Sequence, residues 1–267
     1  MKLIVFSDLH LTAPGTRVIG IDPWERFEAA LAHAQALHPD AARYVLLGDL
    51  VNDGPAEVYD RLAERLAALP LPVSVVPGNH DDRAALDAAL PDLPRAPGGY
   101  LQSVVDTPDH RLIFLDSLSP DVMPFHGGAL CAQRLEWFAS ALDGAGERRV
   151  VVFMHHPPFD VGFVGMDRIS LKNADAFWSL ARGRVAHLVI GHVHRTISGS
   201  CNGAGFTVLK SLAHQTPMDM QTEDTSLSVP EPGAYGIVLL GQAGVVVHSD
   251  DFTLPAVTAT GTRQPAP

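Results

Sequence analysis

Cysteine is scarce: Cys131 and Cys201 are the only two in 267 residues. Two thiols cannot build a disulfide framework, and they read as an unpaired pair in a cytoplasmic protein. Positive charge is scarce as well, with 19 Lys and Arg against 30 Asp and Glu and a formal net charge of −11. Binding along a nucleic-acid backbone needs clustered basic residues, so a nucleic-acid polymer is not expected as partner. A small phosphate ester stays open, because it needs only a local positive site. Long apolar runs are missing: nothing reaches membrane-spanning length, and the stretch Leu3–Phe6 is too short for a signal peptide. No repeat and no linker divides the chain, which predicts a single domain over residues 1–254. The end, 255–267, has little to bury and is expected to be a flexible tail. Against these shortages stand 46% apolar residues, enough for a sizeable core, and a surplus of 13 histidines.

Short β-rich apolar runs alternate with helical patterns, the mark of an α/β fold. Strands are predicted at Leu3–Phe6, Tyr44–Leu47, Val73–Val76, Leu112–Leu115, Val150–Met154, Leu188–Ile190, Phe206–Leu209, Tyr235–Leu240 and Val245–His248. The Phe206 run is read as extending to Ala213, just before His214. A helix is predicted over Pro23–Leu37, with Asp22 as its cap, Pro23 in the first turn and Glu25 three residues after the cap. Ala56–Leu69 carries Val58, Leu62, Leu66 and Leu69 at helical spacing. Shorter helices follow over Arg83–Leu90, Leu130–Leu142 and Asn173–Ala181. The first half is helix-rich and the second strand-rich, which predicts two packed mixed sheets flanked by helices rather than one doubly wound sheet. The polar stretch 215–233 is long enough for a functional loop.

The histidines gather where strands end. The blocks are Ser7-Asp8-Leu9-His10, Gly48-Asp49, Pro77-Gly78-Asn79-His80-Asp81-Asp82, His155-His156-Pro157-Pro158 and Gly191-His192-Val193-His194. Each follows a predicted strand, at the end where open α/β sheets bind ligands. The donors are carboxylate, amide and imidazole without thiolate, a set suited to Mn, Fe or Zn. In Asp8-x-His10 and His192-x-His194, the i, i+2 spacing puts both side chains on one side of an extended segment. Adjacent residues face opposite ways, so only one of His155 and His156 is expected to bind metal. The donor count exceeds the need of one tetrahedral ion and suits two ions about 3.5–4 Å apart. Taken singly, Asp-x-His is a common strand end, Gly-Asn-His a good turn, and His-His-Pro-Pro an ordinary loop. Their order at successive strand ends is what excludes coincidence.

These blocks resemble the calcineurin-like metallophosphoesterase superfamily, whose pattern D-x-H, G-D, G-N-H, H and G-H-x-H is met without substitution between positions 8 and 194. Pro-Gly-Asn-His-Asp-Asp at 77–82, Met154-His155-His156-Pro157-Pro158, Met166-Asp167 and His214-Gln215 resemble the bacterial class III cyclic-nucleotide and glycerophosphodiester phosphodiesterases. The resemblance implies a four-layer αββα sandwich. It implies that Asp8, His10, Asp49 and His194 hold one ion, with Asp49 bridging to a second held by Asn79, His155 and His192. His156 is then left as a supporting group. His80 resembles the family's catalytic histidine, which assists the leaving alkoxide without binding metal. Asn52 and His214, with Asn79 and His80, match positions near the substrate. The other six histidines, His33, His38, His110, His126, His187 and His248, read as ordinary surface or core residues, with His126 before Gly127-Gly128 the first candidate for an exception near the rim of the site.

The chemistry so implied is hydrolysis of a small phosphodiester by a metal-bridging hydroxide, within a homodimer or larger homo-oligomer. The family's protein phosphatases carry an arginine after the G-D block to clamp a dianionic monoester; Asn52-Asp53-Gly54-Pro55 has no base there. Acids at Glu223, Asp224 and Glu231, if near the mouth, would favour a modest or cationic head group. Met166-Asp167 and Asn52 lean toward a glycerophosphodiester, with a 3′,5′-cyclic nucleotide equally within reach. A phosphomonoesterase or a nucleic-acid phosphoesterase of the same superfamily is the alternative, and a non-catalytic metal-binding scaffold the remote one. Complete ligand positions and the presence of His80 argue against the scaffold.

Overall fold

The computed structural model of the protein describes residues 1–254; the tail expected over 255–267 lies outside the described residues. In chain order the elements are β1 (Lys2–Ser7), α1 (Pro23–Leu37), β2 (Arg43–Leu47), α2 (Ala56–Ala67), β3 (Val73–Val76) and α3 (Arg83–Ala89). Then come β4 (Ser103–Asp106), β5 (His110–Leu115), α4 (Ala132–Asp143), β6 (Arg149–Met154), α5 (Val164–Asp167) and α6 (Ala174–Ala181). The chain continues through β7 (Val185–Ile190), β8 (Ile197–Cys201), β9 (Ala204–Val208), β10 (Tyr235–Gly241) and β11 (Gly244–Asp250). Helix α1 starts as the sequence dictates, with the Asp22 carboxylate accepting from the N–H groups of Trp24 and Glu25 at 2.9 and 3.2 Å.

The strands form two mixed sheets, one of five strands in the order β11-β10-β1-β2-β3 and one of six in the order β4-β5-β6-β7-β9-β8. Strands β1, β2 and β3 run parallel, as do β5, β6, β7 and β9. The period-2 alternation of side chains explains the layering. In β1, Leu3 and Val5 enter the core between the sheets while Ile4 and Phe6 meet α1 and α2; β2 divides Val45 and Leu47 from Tyr44 and Leu46 in the same way. From the other sheet, Leu112, Phe114, Val151, Phe153 and Val189 close the shared core, with Phe114 and Phe153 stacked at 4.9 Å. Because both faces of these strands are buried, they read as continuous apolar runs in the sequence. Phe138 of α4 stacks on Phe177 of α6 at 5.2 Å over the outer face of the six-stranded sheet.

Four elements differ from the sequence-based expectation. Strands β4 and β8 are antiparallel edges, and their sequences, Ser-Val-Val-Asp and Ile-Ser-Gly-Ser-Cys, lack a sustained apolar run because neither is covered on both faces. Helix α5 is a single turn, too short for a periodic signal. Strand β9 stops at Val208, so His214 lies in the connection beyond it rather than at a strand end at Ala213.

Candidate metal centre

The C-terminal ends of β1, β2 and β3 in one sheet and of β6 and β7 in the other converge on a single edge of the sandwich. The turns that follow hold Asp8, His10, Asp49, His192 and His194 at φ of 52°, 48°, 47°, 69° and 55°. Left-handed backbone at a non-glycine residue costs of the order of 1–3 kcal/mol. Five such residues among the candidate ligands mark a strained constellation fixed by its surroundings. Part of the fixing is visible: Asp8 N–H donates to Gly48 O at 3.1 Å and His10 N–H to Asp49 O at 2.8 Å. Two glycines are required by close approach, since a Cβ at Gly48 would fall 2.1 Å from His155 Nδ1 and one at Gly78 2.2 Å from Asp49 Oδ1.

Two donor groups result. In the first, Asp8, His10, Asp49 and His194 bring one donor atom each within 4.8 Å of one another. His194 Nε2 is 3.2 Å from Asp8 Oδ1 and 3.0 Å from His10 Nε2. His194 Nδ1 lies 2.9 Å from the His214 carbonyl, which can only accept, so this nitrogen carries the proton. His10 Nδ1 lies 3.0 Å from Asn52 Oδ1, whose amide nitrogen donates to Asp53, giving His10 the same tautomer. Two Nε2 lone pairs therefore face each other beside two carboxylates, an arrangement that fits a cation between them.

In the second group, His155 Nε2 lies 3.2 Å from both Asp49 Oδ2 and Asn79 Oδ1, and its Nδ1 faces Leu47 O at 3.2 Å. His192 is buried, and its Nε2 has no hydrogen-bond partner among the described residues. His156 has both ring nitrogens engaged, Nδ1 with Ser117 Oγ at 2.8 Å and Nε2 with His126 O at 3.1 Å. It supports the centre from behind. Asp49 Oδ2 reaches an Nε2 donor in both groups, lying 3.8 Å from His10 Nε2, whereas Asp8 Oδ1 comes within 3.9 Å of His155 only at Nδ1, the nitrogen that faces Leu47 O.

Burial holds His10 and His192 well below the usual histidine range, helped by His194 and His156 respectively. Burial and the His155 charge take His156 to about 3. His155 goes the other way: burial opposes its charge, but Asp49, Asp8 and the Leu47 carbonyl together outweigh burial and raise it to about 9. Burial likewise works against the Asp49 anion, and His155 with His80 overrides it to hold the carboxyl well below its ordinary value. A cation would meet neutral His10 and His192 and the Asp49 carboxylate, and His155 would give up its proton on binding one.

The residues expected near substrate lie on the same edge. His80 Nδ1 donates to Asn52 O at 2.7 Å, its N–H donates to Asp49 Oδ1 at 2.9 Å, and its ring stacks on His126 at 4.8 Å. His126, the exception the sequence allowed among the ordinary histidines, accepts from Asn79 Nδ2 at 2.9 Å and so turns Asn79 Oδ1 inward. His214 packs 4.8 Å from the rings of both His10 and His194, and burial, with His194, takes its pKa to about 3.

Two supports escaped sequence reasoning. Ser117 follows β5 without any motif of its own. Asp81 sits inside the recognised block, yet its task is structural: it accepts from the N–H groups of Leu50, Val51 and Gly78 and from Tyr59 Oη, at 2.8–3.2 Å. Burial and the nearby Asp49 push its pKa up to about 7. Asp81→Ala leaves three buried N–H groups unpaired between the Asp49 and Asn79 turns. A loss of about 3 kcal/mol or more is expected in denaturant unfolding, whereas Tyr59→Phe should cost only about 1 kcal/mol.

The centre opens into a cleft of about 340 Å³ walled by Val18, Ile19, Met166, Ile169 and Leu227, with Thr216, Thr225, Ser226 and Ser228. The stretch 215–233 thus lines the site, tied down by paired Gln215–Val229 hydrogen bonds and by Val164 N–H to Met220 O. No lysine or arginine lines the cleft among the described residues. The acids considered from the sequence stand behind the cleft wall, with Asp224 accepting from the wall residue Ser226 at 2.6 and 2.9 Å. Glu223 pairs with Arg168, Glu231 is held bidentately by Arg195 at 2.7 and 2.9 Å, and none of the three acids lines the cleft. A larger depression of about 730 Å³ lies at the opposite ends of β6 and β7, beside Arg148, Arg149 and Arg184, and has none of the clustered ligands.

A family model described as calcineurin-like phosphoesterase matches residues 1–196. The chain is 39% identical to a probable cyclic nucleotide phosphodiesterase of Rhodopseudomonas palustris over 255 residues, covering 94% of this chain and 93% of that protein. It is 29% identical to a glycerophosphodiester phosphodiesterase of Enterobacter lignolyticus, with 81% and 79% covered. Among solved structures, a dimetal phosphatase from Danio rerio has a similar fold, with a TM-score of 0.70, 16% identity and coverage of 95% and 96%.

Proposed function

The chain belongs to the calcineurin-like phosphoesterase family, and on that premise we propose that this metal-dependent phosphodiester hydrolase takes a 3′,5′-cyclic nucleotide in preference to a glycerophosphodiester. The observation that carries the choice is the cleft wall. A dianionic monoester calls for cationic side chains beyond the metals, and the described lining has no lysine or arginine. A cationic head group calls for an unpaired acid or an aromatic cage. Apart from Asp49 the described lining has no acid, and it has no Phe, Tyr or Trp. A nucleobase finds apolar flanks in Val18, Ile19, Met166, Ile169 and Leu227 and hydroxyls in Thr216, Thr225, Ser226 and Ser228. The 39% identical relative points the same way, against the lean toward glycerophosphodiesters drawn from Met166-Asp167 and Asn52.

In this reading Asp8, His10, Asp49 and His194 hold one ion, and Asp49, Asn79, His155 and His192 a second, the pair being Mn, Fe or Zn. Such ions supply a water acidified toward about pKa 7 and charge opposite the phosphoryl oxygens. The protein's own contribution is orientation. The Leu47, Asn52 and His214 oxygens fix the ligand rings, and His126 fixes the Asn79 amide. His80, locked through Nδ1 on Asn52 O, presents Nε2 to the departing alcohol as acid or charge stabiliser. Residues 1–254 act as one unit, because the ligands come from both sheets. The free thiols of Cys131 and Cys201 support a cytoplasmic location. A homodimer or larger assembly is carried over from the subgroup resemblance and is checked by light scattering.

The test is a substrate panel on Mn-loaded protein: cyclic AMP, glycerophosphoglycerol and p-nitrophenyl phosphate compared by kcat/KM. Cyclic AMP is expected to lead, with the monoester at least about tenfold behind. Preference for the monoester would overturn the diesterase assignment; preference for glycerophosphoglycerol would overturn only the choice of diester.

A further inference from the structure

Val18 and Ile21 exchange two backbone hydrogen bonds of 2.9 Å, closing a two-residue hairpin turn. Its tip residues, Ile19 and Gly20, have φ of 43° and 83°. Positive φ at both central positions defines a type I′ turn, where Asn-Gly, Asp-Gly or Gly-Gly is the preferred pair. Glycine meets the need at position 20, but a β-branched residue at position 19 is a genuine outlier. Burial does not account for it, since Ile19 is 44% exposed. The strain is held in place from both sides. Arg17 donates to Gly20 O at 3.2 Å, and Asp22 begins α1 directly after the turn. What Ile19 does touch is the cleft, whose lining it shares with His10, Asp49 and His80. Leu227, at 43% exposure, lines the same cleft between Ser226 and Ser228.

An unfavourable backbone state that ends in an exposed apolar side chain at the mouth of a site is what a binding contact leaves behind. We propose that Ile19, with Leu227, is the specificity-determining contact for the planar apolar portion of the diester, gripping a nucleobase or aryl group while the clustered carboxylates and imidazoles act on the phosphate. The proposal rests on the diesterase reading and narrows it: substrates with a flat apolar group are selected over those whose alcohols are wholly polar.

The test compares Ile19→Asn, Ile19→Leu and Leu227→Ser with the wild type on cyclic AMP and glycerophosphoglycerol. Ile19→Asn suits the turn better, so its Tm is expected to rise by roughly 2–4 °C. Its kcat/KM ratio for cyclic AMP over glycerophosphoglycerol should fall about three- to tenfold, through the KM for cyclic AMP. Leu227→Ser should shift the ratio in the same direction, and Ile19→Leu should restore it. An Ile19→Asn enzyme with an unchanged ratio overturns the inference, as does an equal loss on both substrates. A fall in Tm overturns it too, since Ile19 would then be held by packing. A wild type that turns over glycerophosphoglycerol but not cyclic AMP overturns the nucleotide reading and this inference together, and is told apart by failing before any variant is made.

Discussion

Asp49→Ala is expected to remove bound metal and to lower diester hydrolysis by about 10³-fold or more. Asp49 faces the Nε2 donors of both groups, 3.2 Å from His155 Nε2 and 3.8 Å from His10 Nε2. Without it the second group keeps only Asn79 and imidazoles, and the larger of the two carboxylate charges that hold His155 up at about 9 is gone. Neutral donors alone bind a divalent ion far less well than the same donors with a shared anion. Asp49→Asn separates charge from shape, because the amide oxygen can still accept the 2.9 Å bond from His80 N–H. Elemental analysis of both variants should find less than one ion per chain at an unfolding midpoint close to that of the wild type. Either variant retaining two ions would contradict the bridging role.

His80→Ala is expected to cut turnover of alkyl diesters by about 10²–10⁴-fold while metal content stays near normal. The ring belongs to neither donor group: it is tied to Asn52 O and stacked on His126. Its hydrogen bond to Asp49 comes from the backbone N–H, which alanine keeps, so only the ring's charge is lost to that carboxylate. The loss should therefore depend on the leaving group. A departing alkoxide needs a proton or a compensating charge, whereas p-nitrophenolate leaves readily without one. The ratio of wild-type to variant kcat should be large for cyclic AMP and small for bis(p-nitrophenyl) phosphate. Equal losses on both substrates, or loss of metal, would mean that His80 holds the centre together and has no part in leaving-group departure.

The parts of this centre that were legible in the sequence are those written as local blocks. Asp8, His10, Asp49, Asn79, His155, His192 and His194 each follow a buried strand that prints a short apolar run, interrupted only by Ser74 in β3 and His187 in β7. Strand and side-chain type together point to one edge of the sandwich. The rest depends on pairings between distant residues. Asp81 clamps N–H groups 30 and 31 positions away, Arg168 neutralises Glu223 at a separation of 55, and Ser117 backs His156 across 39. No local pattern encodes such partners, so the acids at 223 and 231 read as a charged mouth when they are in fact paired off. Left-handed backbone at five of the candidate ligands is equally silent, because Asp and His carry no mark of it beyond tolerance. Edge strands β4 and β8 vanish from the apolar pattern for want of a second covered face.

Metal-dependent diester hydrolysis is tested most directly by stripping the full-length protein with a chelator and titrating Mn²⁺ back. Bound metal and hydrolysis of bis(p-nitrophenyl) phosphate are then read on the same samples. Turnover is expected to be absent in the stripped protein and to return as occupancy approaches about two ions per chain. Undiminished turnover in the stripped protein, or none at saturating Mn, Fe or Zn, would contradict the account.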